Sequence, residues 1–129
     1  MNRLRRIASV AVLLIGVGAL STLPVSAQTA PETHTVRVGD NFFKPKRLTI
    51  VAGDKITFKW VGSAQHDVKV KKGPQKFKSK LKSSGKFTRA LREPGKYQIY
   101  CTIHPGMTMK VTADEAPPPT TTSSAPPST

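Results

Sequence analysis

Tyr97-Gln98-Ile99-Tyr100-Cys101-Thr102-Ile103-His104-Pro105-Gly106-Met107 is the stretch on which the reading of this chain turns. Its first half alternates. Tyr97, Ile99 and Cys101 fall two residues apart and share one face of an extended strand, with Gln98 on the other. Its second half is punctuated by Pro105-Gly106, a pair that marks a loop. The same period of two recurs upstream at Val36 and Val38, at Leu48 and Ile50, at Ile56, Phe58 and Trp60, and at Val68 and Val70. Between these runs lie turn signals: Gly39-Asp40, Ala52-Gly53-Asp54, Lys72-Gly73-Pro74, Ser83-Ser84-Gly85 and Glu93-Pro94-Gly95. No segment has a convincing helical period and there is no internal repeat. Short strands at this spacing predict an all-β fold, a small antiparallel Greek-key β-sandwich or barrel.

The two ends of the 129-residue chain read differently. Arg3, Arg5 and Arg6 precede an apolar run from Ile7 to Leu20 that ends in Val25-Ser26-Ala27, the pattern of a secretory signal peptide over residues 1–27. The run is too short and wrongly flanked for a membrane span, and no second one follows. From Ala113 the chain is ADEAPPPTTTSSAPPST, so residues 113–129 read as a disordered Pro/Thr/Ser-rich tail. Residues 28–112 remain as one folded domain. A core this small benefits from a staple. With a single Cys an intramolecular disulfide is impossible, which leaves a metal as the other common staple.

Strand parity directs two potential metal ligands inward. His66 is in register with Val68 and Val70, and Cys101 with Tyr97 and Ile99. Taken singly, a buried histidine is most simply a hydrogen-bonded core residue, and a buried thiol a small hydrophobe. The neighbours of Cys101 change that reading. C-x2-H-x2-M places His104 and Met107 on the same loop, so with His66 the set is two imidazoles, a thiolate and a thioether. Imidazoles and thiolate in a trigonal arrangement with a weak axial thioether constitute a type 1 copper electron-transfer site. His34 lies near the start of the mature chain with no partner spacing and reads as a surface residue.

These residues resemble the cupredoxins, and within them the plastocyanin and amicyanin type. Phe43-Lys44-Pro45 followed by LTIVAGDKITFKW is similar to the family's F-x-P, strand, Gly-Asp turn, strand sequence. His66 matches the first imidazole ligand, and Tyr100 to Met107 the closing ligand loop. The resemblance implies one type 1 copper ion held by His66, Cys101, His104 and Met107. The short His-x2-Met interval is the amicyanin form. Met109 would satisfy the longer plastocyanin interval, but it shares strand parity with Val111 and reads more simply as core. Asp67 departs from the family, which commonly has Asn after the first ligand. A carboxylate accepts the same backbone bonds, cannot donate, and favours oxidised copper. The resemblance also implies that His104, with Ile103, Pro105 and Gly106 around it, is where electrons enter and leave.

Charge is the second feature. Three of the 21 Lys and Arg lie in the leader, leaving 18 against seven acids, and eight lysines fall between Lys69 and Lys86 with no acid among them. Part of such a run protects strand edges. A basic face also draws in anionic partners, here a redox protein with an acidic docking face or anionic envelope polymers. Nucleic acid is not expected, since stacking aromatics are not interleaved with the lysines apart from Phe77 and Phe87. The expected function is an exported, monomeric, periplasmic, envelope-associated or secreted carrier of single electrons, not an enzyme. Two other classes fit the same residues: a copper-delivery module that surrenders Cu(I), and a module binding envelope polymers. The absence of His-x-His and of a second domain speaks against a multicopper enzyme, and Met among the ligands speaks against zinc.

Overall fold

The computed structural model describes residues 29–118. The expected leader over 1–27, and the expected tail beyond residue 118, lie outside the described residues. Within them eight strands form in chain order: β1 (Thr33–Gly39), β2 (Phe42–Lys44), β3 (Arg47–Val51), β4 (Lys55–Trp60), β5 (Lys69–Lys72), β6 (Lys86–Ala90), β7 (Gly95–Tyr100) and β8 (Thr108–Asp114). They make two four-stranded sheets, ordered β2-β1-β4-β6 and β3-β8-β7-β5. Among the described residues no helix is long and apolar enough to cross a membrane.

The all-β sandwich is as expected, but it is not purely antiparallel. β1 runs parallel to β4, with Val36 opposite Phe58, and β3 runs parallel to β8, with Leu48 opposite Val111. Alternation reports which face a side chain takes, not which way the neighbouring strand runs. Parallel neighbours arise here because the chain leaves each sheet and returns to it by a crossover. A second correction concerns the end of the domain. β8 continues past residue 112 to Asp114, and Ala113, assigned from composition to the tail, is buried between Ile50 and Gly95 on its two neighbouring strands. Its small side chain keeps the inward parity of Met109 and Val111.

The inward residues of both sheets interdigitate into one core. Val36, Val38, Phe43, Ile56, Phe58 and Trp60 come from the first sheet, and Ile50, Val70, Tyr97, Ile99, Met109, Val111 and Ala113 from the second. Phe58 is its centre, fully buried with ring centroids 6.5 Å from Phe43, 6.4 Å from Phe77 and 6.3 Å from Phe87. β6 was not evident from alternation because it buries too little to show a period. Phe87 is its one hydrophobic residue packed on the core, and Lys86, Thr88 and Arg89 face solvent.

Candidate metal centre

The site lies at one end of the sandwich, where the residues after β4 meet the loop between β7 and β8. His66 sits just before β5. Its backbone pairs with Lys82 in both directions, His66 N–H to Lys82 carbonyl at 2.9 Å and Lys82 N–H to His66 carbonyl at 3.1 Å. The Trp60 indole N–H donates to the same His66 carbonyl at 3.1 Å, so the end of β4 also fixes this residue. Cys101 continues β7, inward as its parity requires. The loop it opens closes on itself: Cys101 N–H bonds the Met107 carbonyl at 3.1 Å, and Met107 N–H the His104 carbonyl at 3.2 Å. Gly106 makes this closure possible, for its φ of 82° lies in the left-handed region that side chains disfavour.

Three of the four expected ligands are brought together by this frame. The donor atoms of His66, Cys101 and His104 lie within 4.8 Å of one another. Both imidazoles present Nδ1 to the sulfur: Cys101 Sγ is 3.8 Å from His66 Nδ1 and 3.6 Å from His104 Nδ1. The two rings stand 4.5 Å apart, tilted by 44°. N and S donors bonded to one metal at about 2.0–2.3 Å and spread by 120° would lie roughly 3.8 Å apart, so the spacing fits a trigonal site. His66 and Cys101 are buried at 0% and 2% exposure, whereas His104 is only half-buried. Met107 closes the loop and is buried. Met109 lies within β8 opposite Ile99, in the core where its parity placed it.

Asp67 ties the two ligand-bearing segments together. Its side chain, 1% exposed, accepts from Thr102 N–H at 2.7 Å through Oδ1 and from the Thr102 hydroxyl at 2.7 Å through Oδ2, with Lys78 Nζ 3.6 Å away. Burial pushes this carboxyl up, but the two bonds from Thr102, the Cys101 side chain and Lys78 outweigh it and hold the carboxyl below its ordinary value. The Thr102 hydroxyl thus donates where an amide at 67 would have to be satisfied differently.

Two features were not legible in the sequence. Asp40, read only as part of a turn, reaches the site: its Oδ1 lies 3.3 Å from His66 Nε2 and accepts from Ala64 N–H at 2.9 Å. The Ala64 bond, then His66 and Ser63, lower this carboxyl to about 2. His34 is not an unpartnered surface residue. Its Nε2 bonds Asp54 Oδ2 at 2.9 Å, at the end of the sandwich where Asp54 also accepts from the N–H groups of Glu32 and Val51. No sequence signal links positions 34 and 54; the parallel register of β1 and β4, which sets Thr33 opposite Lys55, does.

The described domain matches a known family. A model of copper binding proteins of the plastocyanin/azurin family covers residues 32–114. A plastocyanin from Prochlorothrix hollandica is 31% identical over 120 residues, covering 84% of this chain and 88% of the relative. Among solved structures, a reduced Cu(I) form of an amicyanin variant superposes with a TM-score of 0.58 at 22% identity, covering 69% of this chain and 89% of that one. The copper-containing nitrite reductase of Thermus scotoductus superposes with a TM-score of 0.55 at 26% identity, covering 81% of this chain but 25% of the reductase. Two inward imidazoles and a thiolate at one end of a two-sheet sandwich agree with these likenesses, and this chain is a cupredoxin, a copper-binding protein of the plastocyanin/azurin family.

Proposed function

We propose that this protein is an exported carrier of single electrons, in which His66 Nδ1, Cys101 Sγ, His104 Nδ1 and the Met107 thioether would hold copper. The observation that carries the reading is the convergence of both Nδ1 atoms on Cys101 Sγ at 3.8 and 3.6 Å. When bound by these soft sulfur and imidazole donors, copper would supply one-electron exchange between Cu(II) and Cu(I). The protein supplies the constraint. His66 is held by Lys82 and Trp60, Cys101 by β7 and the closed loop, and Asp67 locks the two segments to each other.

Electrons pass through the edge of His104. It is the half-buried member of the set, and its neighbour Ile103 is 47% exposed, an apolar contact suited to transient docking. Lys78 and Lys82 flank the His66 segment, and Lys80 between them is exposed. This favours a partner with an acidic docking face over an anionic envelope polymer, because the positive charge lies beside the redox end. An enzymatic role is not carried over from the nitrite reductase, of which this chain matches a quarter.

The test is the visible spectrum of the Cu(II)-loaded protein beside Cys101→Ala. An intense blue band that vanishes with Cys101→Ala is expected, and its absence from folded, copper-exposed native protein would refute the assignment. For docking, electron transfer to an acidic redox protein should slow as ionic strength rises past 0.1 M, where screening sets in within about 10 Å. A rate indifferent to salt would exclude the basic face.

A further inference from the structure

We propose that Asp40, in the turn between β1 and β2, is a positioning residue for the copper centre: it holds His66 by its Nε2–H, turns Nδ1 toward the metal, and favours Cu(II) there. The inference rests on the type 1 site described above and adds a residue twenty-six positions from the ligand it serves.

His66 is a fully buried ring with two nitrogens to satisfy. Nδ1 faces Cys101 Sγ. Nε2 faces the other way, and its hydrogen-bond partner among the described residues is Asp40 Oδ1 at 3.3 Å. A neutral imidazole whose Nδ1 is needed as a donor to metal must carry its proton on Nε2. A carboxylate at that nitrogen accepts the proton's hydrogen bond, fixes the tautomer and makes the ring a stronger donor to the metal.

The local structure is arranged around this contact. Asp40 Oδ1 also accepts from Ala64 N–H at 2.9 Å, and Oδ2 from Ser63 N–H at 3.3 Å and the Ser63 hydroxyl at 3.2 Å. The carboxylate is therefore oriented by the 63–64 backbone before it meets the ring. Gly62 permits the approach, since a Cβ at that position would collide with the Asp40 carboxylate and backbone nitrogen. The turn supplies the rest: Asn41 takes a φ of 66°, which ends β1 and reverses the chain so that Asp40 leaves the sheet toward the ligand segment. A clamp on the 62–64 loop alone would not require an oxygen on the ring nitrogen of His66.

The experiment measures midpoint potential and the separate affinities for Cu(II) and Cu(I) in native protein, Asp40→Asn and Ser63→Ala. Asn keeps an oxygen for Ala64 N–H and removes the charge. Ser63→Ala removes a loop contact and leaves the His66 bond. Outer-sphere partners of ligand histidines typically change metal affinity 10- to 100-fold. We expect Asp40→Asn to lose about tenfold in Cu(II) affinity relative to Cu(I), which raises the midpoint by about 59 mV for one electron, while Ser63→Ala leaves it in place. An unchanged potential in Asp40→Asn, or an equal shift in Ser63→Ala, overturns the proposal. A second measurement needs no variant: 15N NMR of the native metal-free protein above neutral pH should find the His66 proton on Nε2, and a proton on Nδ1 overturns it. Loss of the blue band in native protein would sink the copper site itself, and the NMR result would still decide the Asp40 contact.

Discussion

Replacing Asp67 by Asn isolates the effect of one buried negative charge on the copper couple. The substitution preserves shape and an acceptor for Thr102 N–H, so the link between the two ligand segments survives, with the Thr102 hydroxyl now accepting from the amide. What is lost is a unit charge on a side chain 1% exposed, adjoining Cys101. Unit charges about 5–8 Å apart interact by about 2–3 kcal/mol at an effective dielectric of 20. Lys78, 3.6 Å from the carboxylate, offsets part of this, but its own side chain is 55% exposed and solvent screens it. A remainder of about 1–2 kcal/mol favours the more positive, oxidised ion, equivalent to about 40–90 mV at 59 mV per tenfold. Asp67→Asn should therefore raise the midpoint potential by that amount, measured by voltammetry on copper-loaded protein with the blue band intact. A potential that stays put or falls would show that the carboxylate is neutral in the folded protein or screened completely, and would refute the reasoning.

Met107→Ala should shift the visible spectrum, whereas Met109→Ala, deep in β8 opposite Ile99, should leave the spectrum alone and cost about 2–5 kcal/mol in urea unfolding. The opposite pattern would make Met109 the axial ligand. Phe58→Ala removes the ring against which Phe43, Phe77 and Phe87 pack and should cost about 3–5 kcal/mol, enough to unfold much of a domain this size; a loss under 1 kcal/mol would mean the core repacks around the gap. Asp54 predicts an acid-sensitive end of the sandwich. The His34 bond, with those from Glu32 and Val51 N–H, outweighs the opposing effect of burial and holds its carboxyl below 3.8. A folded value depressed below the unfolded one contributes stability that is present above about pH 4 and lost as pH falls through the folded value. Urea midpoints at pH 5 and pH 3 should therefore differ less in Asp54→Asn than in the native protein, and equal differences would exclude this group.

How much of this was legible depended on the range of the interaction. The inward direction of Cys101 follows from parity, because side chains two apart on a strand must share a face and Cys101 continues the face of Tyr97 and Ile99. His66 is buried too, but it precedes β5 and its neighbour Asp67, of opposite parity, is buried as deeply, so long-range contacts rather than alternation enclose it. The C-x2-H-x2-M loop is local, so Cys101, His104 and Met107 were bound to lie near one another whatever the rest of the chain did. Strands that are short or bury little were harder to see. β2 is three residues long, and β6 buries little, so neither offers enough alternation to stand out. Ala113 was misplaced because a small residue beside a polar, Pro-rich stretch has no hydrophobic signal of its own, although β3 and β7 both pair with it.

The amino-acid sequence by itself determined that this is a β domain, which residues face its core, and which four side chains have the chemistry to hold copper. These depend on residue type and on spacings of a few positions, where the covalent chain dictates geometry. Only the tertiary structure decided the parallel pairings of β1 with β4 and β3 with β8, the meeting of His66 with Cys101 thirty-five residues away, and the pairing of His34 with Asp54. It alone placed Asp40 on the far nitrogen of His66. Those contacts depend on which strands lie side by side, and that is set by burying two apolar sheet faces against each other, a cooperative outcome of the whole domain that no short stretch encodes.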